Sequence, residues 1–312
     1  MSGLVYFGTP EFAVPTLAAL VEAGRAPRLV VTQPAREVGR GRKMHEPTVA
    51  AFARRHGLPV EQPEKVKDEA FLDRLRGIAP DLAVVVAFGQ IFRRPLLELP
   101  RLGCVNVHAS LLPRWRGAAP IQAAIAAGDR VTGVTTMRME EGLDSGPLLL
   151  REETAIAEGE TADVLGARLA ALGAALLLRT VEGLERGEIE AQPQDESLAT
   201  YAPRLRREDA RVDWTLEAAA IAARWRAYSP WPGLETTLRG DAVKLSLVRG
   251  DAGSANGASP GQLLGLAAEG VRVACGGGTA VAIGELQRAG RRALPARDFW
   301  NGERLRTGER FG

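Results

Sequence analysis

The feature that most constrains the fold is a run of five apolar residues, Leu82 to Val86. A strand without polar alternation is typical of a parallel sheet that is covered on both faces. Apolar runs predict further strands at residues 4–7, 29–32, 103–107 and 134–139. Segments with helical spacing lie between these runs, among them the alanine- and leucine-rich stretch 162–186. The alternation predicts an α/β fold with a Rossmann-like, doubly wound, mostly parallel sheet.

A change in composition and in hydrophobic pattern near residue 190 predicts a second domain. Residues 190–207 are rich in Gln, Pro, Asp, Glu and Ser and have no apolar period. Beyond them, short β-rich runs alternate with glycine-rich turns, which favours a small β-barrel of the oligonucleotide-binding (OB-like) type. We therefore predict an α/β domain over residues 1–188, a linker over 189–207 and an OB-like domain over 208–312.

Composition and charge narrow the class of protein. Apolar residues make up 46% of the 312, enough for two hydrophobic cores. Cys104 and Cys275 lie far apart and in no metal-ligand spacing, so we expect neither disulfide nor bound metal. The N-terminus carries no basic segment followed by an apolar run, and no stretch approaches a membrane span free of charge. We expect a soluble, cytoplasmic monomer with no membrane and no DNA partner.

The net charge of +2 does not by itself suggest a nucleic-acid partner, but the charges are unevenly distributed. Residues 206–312 hold 16 basic and 12 acidic side chains, against 24 and 26 in residues 1–205. A local cluster shows a much higher density of basic residues than this. Four of them fall within eight positions: Arg36, Arg40, Arg42 and Lys43. Such a cluster is a candidate site for a polyanion, although a solvated surface loop is the commoner explanation.

His108 is the histidine with the clearest functional context. It follows the predicted strand 103–107, and Asn106 precedes it by two positions, so both side chains point to one face of the strand. Binding sites in doubly wound sheets form beyond the carboxyl ends of strands, where this pair would lie. The alternative is a satisfied polar pair at a strand end.

Two further segments complete a candidate cleft. Ser110 to Pro113 and the following Arg-Trp-Arg-Gly would form a rigid, largely apolar wall beside the polar pair. Asp144 lies between glycines on a turn after the strand at 134–139, and turn formation alone would also explain such an Asp. An amide, an imidazole and a carboxylate together suit formyl transfer to an amine, with Asn106 stabilising an oxyanion and His108 and Asp144 handling charge and protons. Such a reaction needs no nucleophilic Ser or Cys.

The chain resembles the methionyl-tRNA formyltransferases, within the wider group of folate-dependent formyltransferases, over essentially its whole length. The most specific stretches are 106–121 and 142–146. This resemblance implies that Asn106, His108 and Asp144 are catalytic and that 10-formyltetrahydrofolate is the co-substrate. It also implies a set of folate-binding residues, namely Phe88, Gly89, Gln90, Ile91, Ser110, Leu111, Leu112, Pro113 and Leu143.

Three further stretches resemble the tRNA-dependent branch of the group: Gly8 to Phe12, the loop from Thr32 to Lys43, and Pro230 to Gly233. The resemblance implies charged initiator tRNA as partner, with the basic residues Arg36, Arg40, Arg42 and Lys43 at its acceptor end and Arg40 foremost. Phosphates would supply affinity and splayed bases selectivity.

Two alternatives remain at this point. One is a formyltransferase that acts on an amino sugar or a glycinamide nucleotide, against which the basic loop and the C-terminal barrel speak. The other is a non-catalytic tRNA-binding protein, in which Asn106, His108 and Asp144 would be structural. Folate binding with formyl turnover separates the two classes.

Overall fold

The computed structural model describes residues 3–38, 43–255 and 257–312. The chain forms two compact units. The first unit comprises Met1–Pro120, Val131–Ala155 and Gly166–Ala202, and the second comprises Ile121–Arg130, Ile156–Leu165 and Pro203–Gly312. The boundaries predicted from the sequence, at 188 and 208, stay a prediction.

The first unit is built on a mostly parallel sheet. Its described strands are β1 Leu4–Gly8, β2 Leu29–Val31, β3 Arg36–Val38, β4 Lys43–His45, β5 Val60–Glu61, β6 Leu82–Val86, β7 Cys104–His108, β8 Arg116–Gly117, β9 Val131–Arg138, β10 Leu148–Ala155 and β11 Tyr201–Ala202. Seven of these form one sheet in the order β10-β9-β7-β6-β1-β2-β5. Each pair of neighbours from β7 to β5 in this order is parallel. β9 is antiparallel to both of its neighbours, β7 and β10. The prediction of a mostly parallel α/β sheet is confirmed.

Helices cover both faces of this sheet. The described helices of the chain are α1 Val14–Glu22, α2 Thr48–Arg55, α3 Glu69–Ile78, α4 Arg94–Leu97, α5 Pro120–Ala126, α6 Ala162–Arg186, α7 Ala218–Tyr228 and α8 Ala296–Gly302. Phe7 on β1 contacts Phe71 of α3, with ring centroids 6.5 Å apart. Tyr6 points to the opposite face and hydrogen-bonds Thr16 of α1 at 2.6 Å. Successive residues of β1 therefore anchor helices on opposite faces, as a doubly wound sheet requires.

The long helix α6 spans the residues predicted for it, 162–186. Within the described residues it is long and apolar enough, by length and composition alone, to cross a membrane. Half of that apolar stretch is buried, however, and Thr180 hydrogen-bonds Thr136 of β9 at 2.8 Å. At Gly173 an added Cβ would lie only 3.0 Å from Val107, so glycine permits close packing of helix on strand. These contacts are those of a core helix.

The second unit contains an antiparallel sheet. Its described strands are β12 Leu234–Leu238, β13 Asp241–Asp251, β14 Leu263–Ala267, β15 Gly270–Ala274, β16 Ala280–Arg288 and β17 Leu294–Pro295. The order β12-β13-β16-β15-β14 leaves β12 and β14 as edges. Near the C-terminus, Phe311 bridges to Leu238 and Arg310 bridges to Gln262, so this segment links the two edges. The prediction of a C-terminal antiparallel β-domain is confirmed, with α7 and α8 packed on it, and its OB-like character stays a prediction.

The two cysteines are buried, and we expect them to be unreactive in the native protein. Burial raises the pKa of the Cys104 thiol to about 12 and that of Cys275 to about 11. At about pH 8 both thiols therefore stay protonated and shielded. Because the thiolate is the reactive form, neither should react in the folded protein. A chromogenic disulfide reagent should therefore react only after the protein is unfolded in guanidinium. Rapid labelling of the folded protein would contradict this prediction.

Candidate active site

Asn106 and His108 share one face of β7, since residues two apart in a strand point the same way. His108 is the last residue of the strand and is buried, while Asn106 is half-buried. The strand pairs in parallel with β6, which pairs in parallel with β1, so the carboxyl ends of all three meet at one edge. The pair therefore lies at the edge where doubly wound sheets form their sites.

Asp144 lies close to both side chains. Asn106 Nδ2 donates to its Oδ1 at 3.4 Å, and His108 Nδ1 lies 3.7 Å from its Oδ2. The path of the chain that brings Asp144 to these side chains was not predicted from the sequence. β9 runs antiparallel to β7, and its last residue pairs with Val105, so β9 ends away from the shared edge. Residues 139–147 bring the carboxylate back to the centre of β7, with a φ of 49° at Asp144.

The imidazole of His108 is held between two oxygen acceptors. Its Nε2 donates to the carbonyl oxygen of Trp115 at 2.9 Å, and its Nδ1 faces the carboxylate of Asp144. A carbonyl oxygen only accepts, so Nε2 carries a proton in this arrangement. The separation of 3.7 Å between Nδ1 and the Asp144 carboxylate exceeds hydrogen-bond distance but is short enough for an electrostatic contact. The imidazole of His108 and the amide of Asn106 therefore both face the same carboxylate.

The backbone after β7 also contributes to the site. The N–H of Gly117 donates to Oδ2 of Asp144 at 2.8 Å. Gly117 has a φ of 116°, a conformation that favours glycine, and a Cβ there would lie 2.6 Å from the carbonyl oxygen of Ala202. The segment that ends in β11 thus packs directly on the backbone that holds the carboxylate. Gly117 lies within the stretch 106–121, but its role at the site was not predicted from the sequence.

The wall from Ser110 to Pro113 is fixed by hydrogen bonds within the protein. Ser110 is buried, and its hydroxyl donates to the carbonyl of Arg114 at 2.6 Å. The Thr135 hydroxyl donates to the Ser110 carbonyl at 2.7 Å and accepts from the Leu112 N–H at 3.2 Å. Leu112 is buried, whereas Leu111 and Pro113 are half-buried and accessible. The prediction of a rigid wall beside the polar pair agrees with these contacts.

The other proposed folate-binding residues differ widely in exposure. Phe88 is buried against Phe7 and Phe92, so its ring belongs to the core. Ile91 and Leu143 are 72% and 62% exposed, which is unusual for aliphatic side chains. Gly89 is exposed with a φ of 86°, and the side chain of Gln90 accepts a hydrogen bond from the Val66 N–H at 2.9 Å. Their contacts with folate stay a prediction.

The basic cluster is described only in part. Arg36 is exposed at the start of β3, which pairs with β4 in a two-stranded hairpin. Its Nη2 donates to Oε1 of Gln33 at 3.4 Å. Arg40 and Arg42 lie outside the described residues, and of Lys43 only the backbone, in β4, is described. The tRNA-binding role of all four residues stays a prediction.

Residues 192–202 also reach this site, which was not predicted. Gln192 pairs with Leu148 through two backbone hydrogen bonds, and Thr200 accepts from the Trp115 N–H through its hydroxyl at 2.9 Å. β11 pairs in parallel with β8. The segment lacks apolar periodicity because its contacts are polar and backbone-mediated, so no hydrophobic pattern could have revealed them.

Among the described residues, no three His, Cys, Asp or Glu side chains are grouped as metal ligands would be.

Comparison with known families agrees with this arrangement. Residues 4–181 match the formyl transferase family, and residues 204–304 match the formyl transferase C-terminal domain. Fold and site together define a formyltransferase. The methionyl-tRNA formyltransferase of Citrifermentans bemidjiense is 46% identical over 99% of this chain and 96% of its own length. That of Methylococcus capsulatus is 47% identical over 99% of both chains. The chain belongs to the methionyl-tRNA formyltransferase family, so the resemblance noted from the sequence is confirmed.

Solved structures with lower identity share the fold. HypX from Aquifex aeolicus, solved with tetrahydrofolic acid, has a TM-score of 0.65 at 18% identity, covering 96% of this chain and 48% of HypX. The sugar 3N-formyltransferase WlaRD, solved with dTDP and 5-N-formyl-THF, has a TM-score of 0.66 at 14% identity and covers 94% of this chain and 99% of its own. At such identities the likeness speaks for the fold alone.

Proposed function

We propose that this enzyme transfers the formyl group of 10-formyltetrahydrofolate to the amino group of methionyl-initiator-tRNA, with Asn106, His108 and Asp144 as its catalytic residues. One structural observation supports the proposed chemistry. The Asp144 carboxylate lies 3.4 Å from the Asn106 amide and 3.7 Å from the His108 imidazole, at the edge of the sheet where ligands bind. Membership of the family supports the choice of acceptor.

The reaction replaces one carbon–nitrogen bond by another. The amine attacks the formyl carbon, the carbonyl oxygen becomes an oxyanion, and the bond to N10 of the folate then breaks. The attacking nitrogen loses a proton and the departing N10 gains one. An amide nitrogen carries two hydrogens, so Asn106 can donate to Asp144 and to the oxyanion at once.

The remaining two groups handle charge and protons. A protonated His108 adds positive charge beside the developing oxyanion, where a low local dielectric strengthens the interaction. Asp144 holds that imidazolium and accepts the amine proton, directly or through water. Gly117 fixes the carboxylate from the side opposite to Asn106 through Oδ2. No step requires a covalent enzyme intermediate.

We assign folate binding to the wall 110–113 and to the loops around residues 88–91 and 143. The exposed side chains of Ile91 and Leu143 offer apolar surface for a flat heteroaromatic ring, and burying such surface favours binding. The half-buried side chains of Leu111 and Pro113 on the wall 110–113 add further apolar surface for the ligand. Cytoplasmic location, a monomeric state and the absence of DNA or membrane partners stay predictions.

Acceptor choice is the sharpest test of the proposed function. The protein is incubated with 10-formyltetrahydrofolate and, separately, with charged initiator tRNA, charged elongator tRNA, an amino sugar nucleotide and glycinamide ribonucleotide. Formylated product and tetrahydrofolate are both measured. We expect fast turnover with charged initiator tRNA and slow or no turnover with the other three.

Two results would contradict the proposal in different ways. Faster transfer to the amino sugar or to the glycinamide nucleotide would replace the acceptor and leave the chemistry intact. Tight tRNA binding without production of tetrahydrofolate from any acceptor would indicate a non-catalytic tRNA-binding protein. Uncharged initiator tRNA is the matched control, since it offers the same RNA surface without the reacting amine.

A further inference from the structure

Arg116 is a buried cation next to the candidate active site. Only 2% of its side chain is exposed, although it belongs to the short strand β8. Its Nε and Nη2 donate to the side-chain oxygen of Gln194 at 3.1 and 2.8 Å, and its two terminal nitrogens donate to the Glu196 carboxylate at 2.9 and 2.7 Å. The hydrogen bonds to Glu196 raise the pKa of Arg116 further. The guanidinium is thus a fixed, charged donor.

This contact determines which way the Gln194 amide points. A guanidinium has donors only, so the oxygen of Gln194 has to face Arg116 and the amide nitrogen has to face away. That nitrogen donates to the backbone carbonyl of Asp144 at 2.8 Å and to that of Gly146 at 2.7 Å. Both of its hydrogens therefore bind the loop that carries the carboxylate.

The loop that carries Asp144 needs such support because its backbone is strained at Asp144 itself. Asp144 has a φ of 49°, in the left-handed region that side chains with a Cβ rarely adopt. Such a conformation persists only where surrounding contacts determine it. The Gln194 amide binds the carbonyl of this same residue, and the Gly117 N–H binds its side chain.

We propose that Arg116 and Gln194 are positioning residues that hold the Asp144 carboxylate in its working orientation toward Asn106 and His108. The proposal rests on the catalytic role of Asp144 proposed above. Neither residue touches the reacting groups themselves. Arg116 acts through the orientation of the amide, and the amide acts through the backbone of the loop.

A simpler role would be to anchor residues 192–202 on the rest of the first unit. Backbone contacts already serve that purpose, since Gln192 pairs with Leu148 and β11 pairs with β8. Glu196 provides a matched control on the same segment. Its side chain is 68% exposed and also binds Arg116, but within the described part of the chain it makes no hydrogen bond or ion pair with the loop of Asp144. An anchoring role would depend on Glu196 and Gln194 alike, whereas a positioning role depends on Gln194.

Gln194→Glu separates the two roles. The new side chain keeps the size of glutamine and its pairing with Arg116, but it replaces the donating nitrogen by an oxygen that faces two carbonyls. We expect kcat to fall about 10- to 100-fold, as a misplaced catalytic group does. The KM values for folate and tRNA should change less than about threefold, because the binding surfaces are untouched. Glu196→Gln should keep kcat within about twofold, because a glutamine oxygen can still accept from Arg116 and the contact of Gln194 with the loop of Asp144 is untouched.

Hydrogen exchange gives a second measurement that a general loss of stability would not mimic. The Gly117 N–H, which donates to Asp144, should exchange faster in Gln194→Glu while the melting temperature stays near that of the parent protein. If that variant does not fold, Arg116→Lys tests the same contact. It keeps the charge but loses the two-pronged hold on the Gln194 oxygen, and it should also lower kcat with little change in KM.

Asp144→Asn is measured in parallel, so that failures can be told apart. If Asp144→Asn is inactive but Gln194→Glu and Arg116→Lys keep kcat within about threefold of the parent, positioning is overturned and the proposed site stands. If Asp144→Asn retains normal kcat, the proposed site itself is wrong and the positioning role falls with it. Equal losses in Gln194→Glu and Glu196→Gln would assign the segment an anchoring role and overturn the proposal.

Discussion

Replacing Asp144 by Asn should slow formyl transfer at least about 100-fold while the protein stays folded. Asparagine keeps the shape of the side chain and an oxygen for the Gly117 N–H, which now lies 2.8 Å from Oδ2. It removes the charge that faces His108 at 3.7 Å and the basic oxygen that would accept the amine proton. The loss should therefore appear in kcat rather than in the melting temperature.

Asn106→Ala and His108→Ala should each show a loss of similar size, because an oxyanion donor and an imidazolium are removed. Single-turnover rates with charged initiator tRNA measure the chemical step directly. Asp73→Asn is the matched control, since Asp73 is 65% exposed on α3 and pairs with Arg76 there. Near-normal turnover in all three active-site variants would show that the site lies elsewhere.

The three residues should also behave as one unit. Asn106 and His108 both contact the same carboxylate, so removing one partner already disables what the others provide. A His108→Ala, Asp144→Asn double variant should therefore be little slower than the slower single variant. Losses that multiply would mean that the residues act in separate steps, and would argue against the coupled arrangement.

Much of this site could be predicted from strand periodicity. Asn106 and His108 lie two positions apart, and this spacing alone places them on one face of β7. The apolar run at 82–86 predicts a central strand, and β6 is indeed central, with β1 and β7 as its parallel neighbours. Patterns set by local geometry and by burial on both faces are visible in sequence because each residue reports its own environment.

Other features depend on pairing between distant segments, which no local pattern records. β10 was not predicted, because it is an edge strand in which Arg151 to Thr154 are all polar, so the residues show no apolar alternation. The antiparallel direction of β9, and so the path of the loop to Asp144, depends on the order of strands in the sheet. Gln194 lies in a stretch that looks like a linker because its polar side chain binds backbone carbonyls rather than a hydrophobic core.

Arg40 is expected to matter most for the choice between tRNAs. It belongs to a cluster of four basic residues within eight positions, and the family resemblance assigns this cluster to the acceptor end of the tRNA. Arg40→Ala should lower the transfer rate on charged initiator tRNA about 10- to 100-fold, the usual cost of losing a specific contact to a base. Folate affinity should not change, since the proposed folate-binding residues lie on the wall 110–113 and the loops around 88–91 and 143. Arg101→Ala, which removes an exposed cation paired with Asp81, is the matched control for loss of charge.

Salt dependence distinguishes a contact that reads the RNA from one that only attracts it. An arginine bound to phosphate alone contributes equally to initiator and elongator tRNA, and added salt weakens both as the mutation does. An arginine that senses the unpaired end contributes only where that end is present, so its loss narrows the preference between the two tRNAs at low and high salt alike. Transfer rates are therefore compared for both tRNAs, in the parent protein and in Arg40→Ala, at two salt concentrations. A preference that the mutation leaves unchanged would make Arg40 a phosphate contact, and the discrimination between tRNAs would then have to come from other residues.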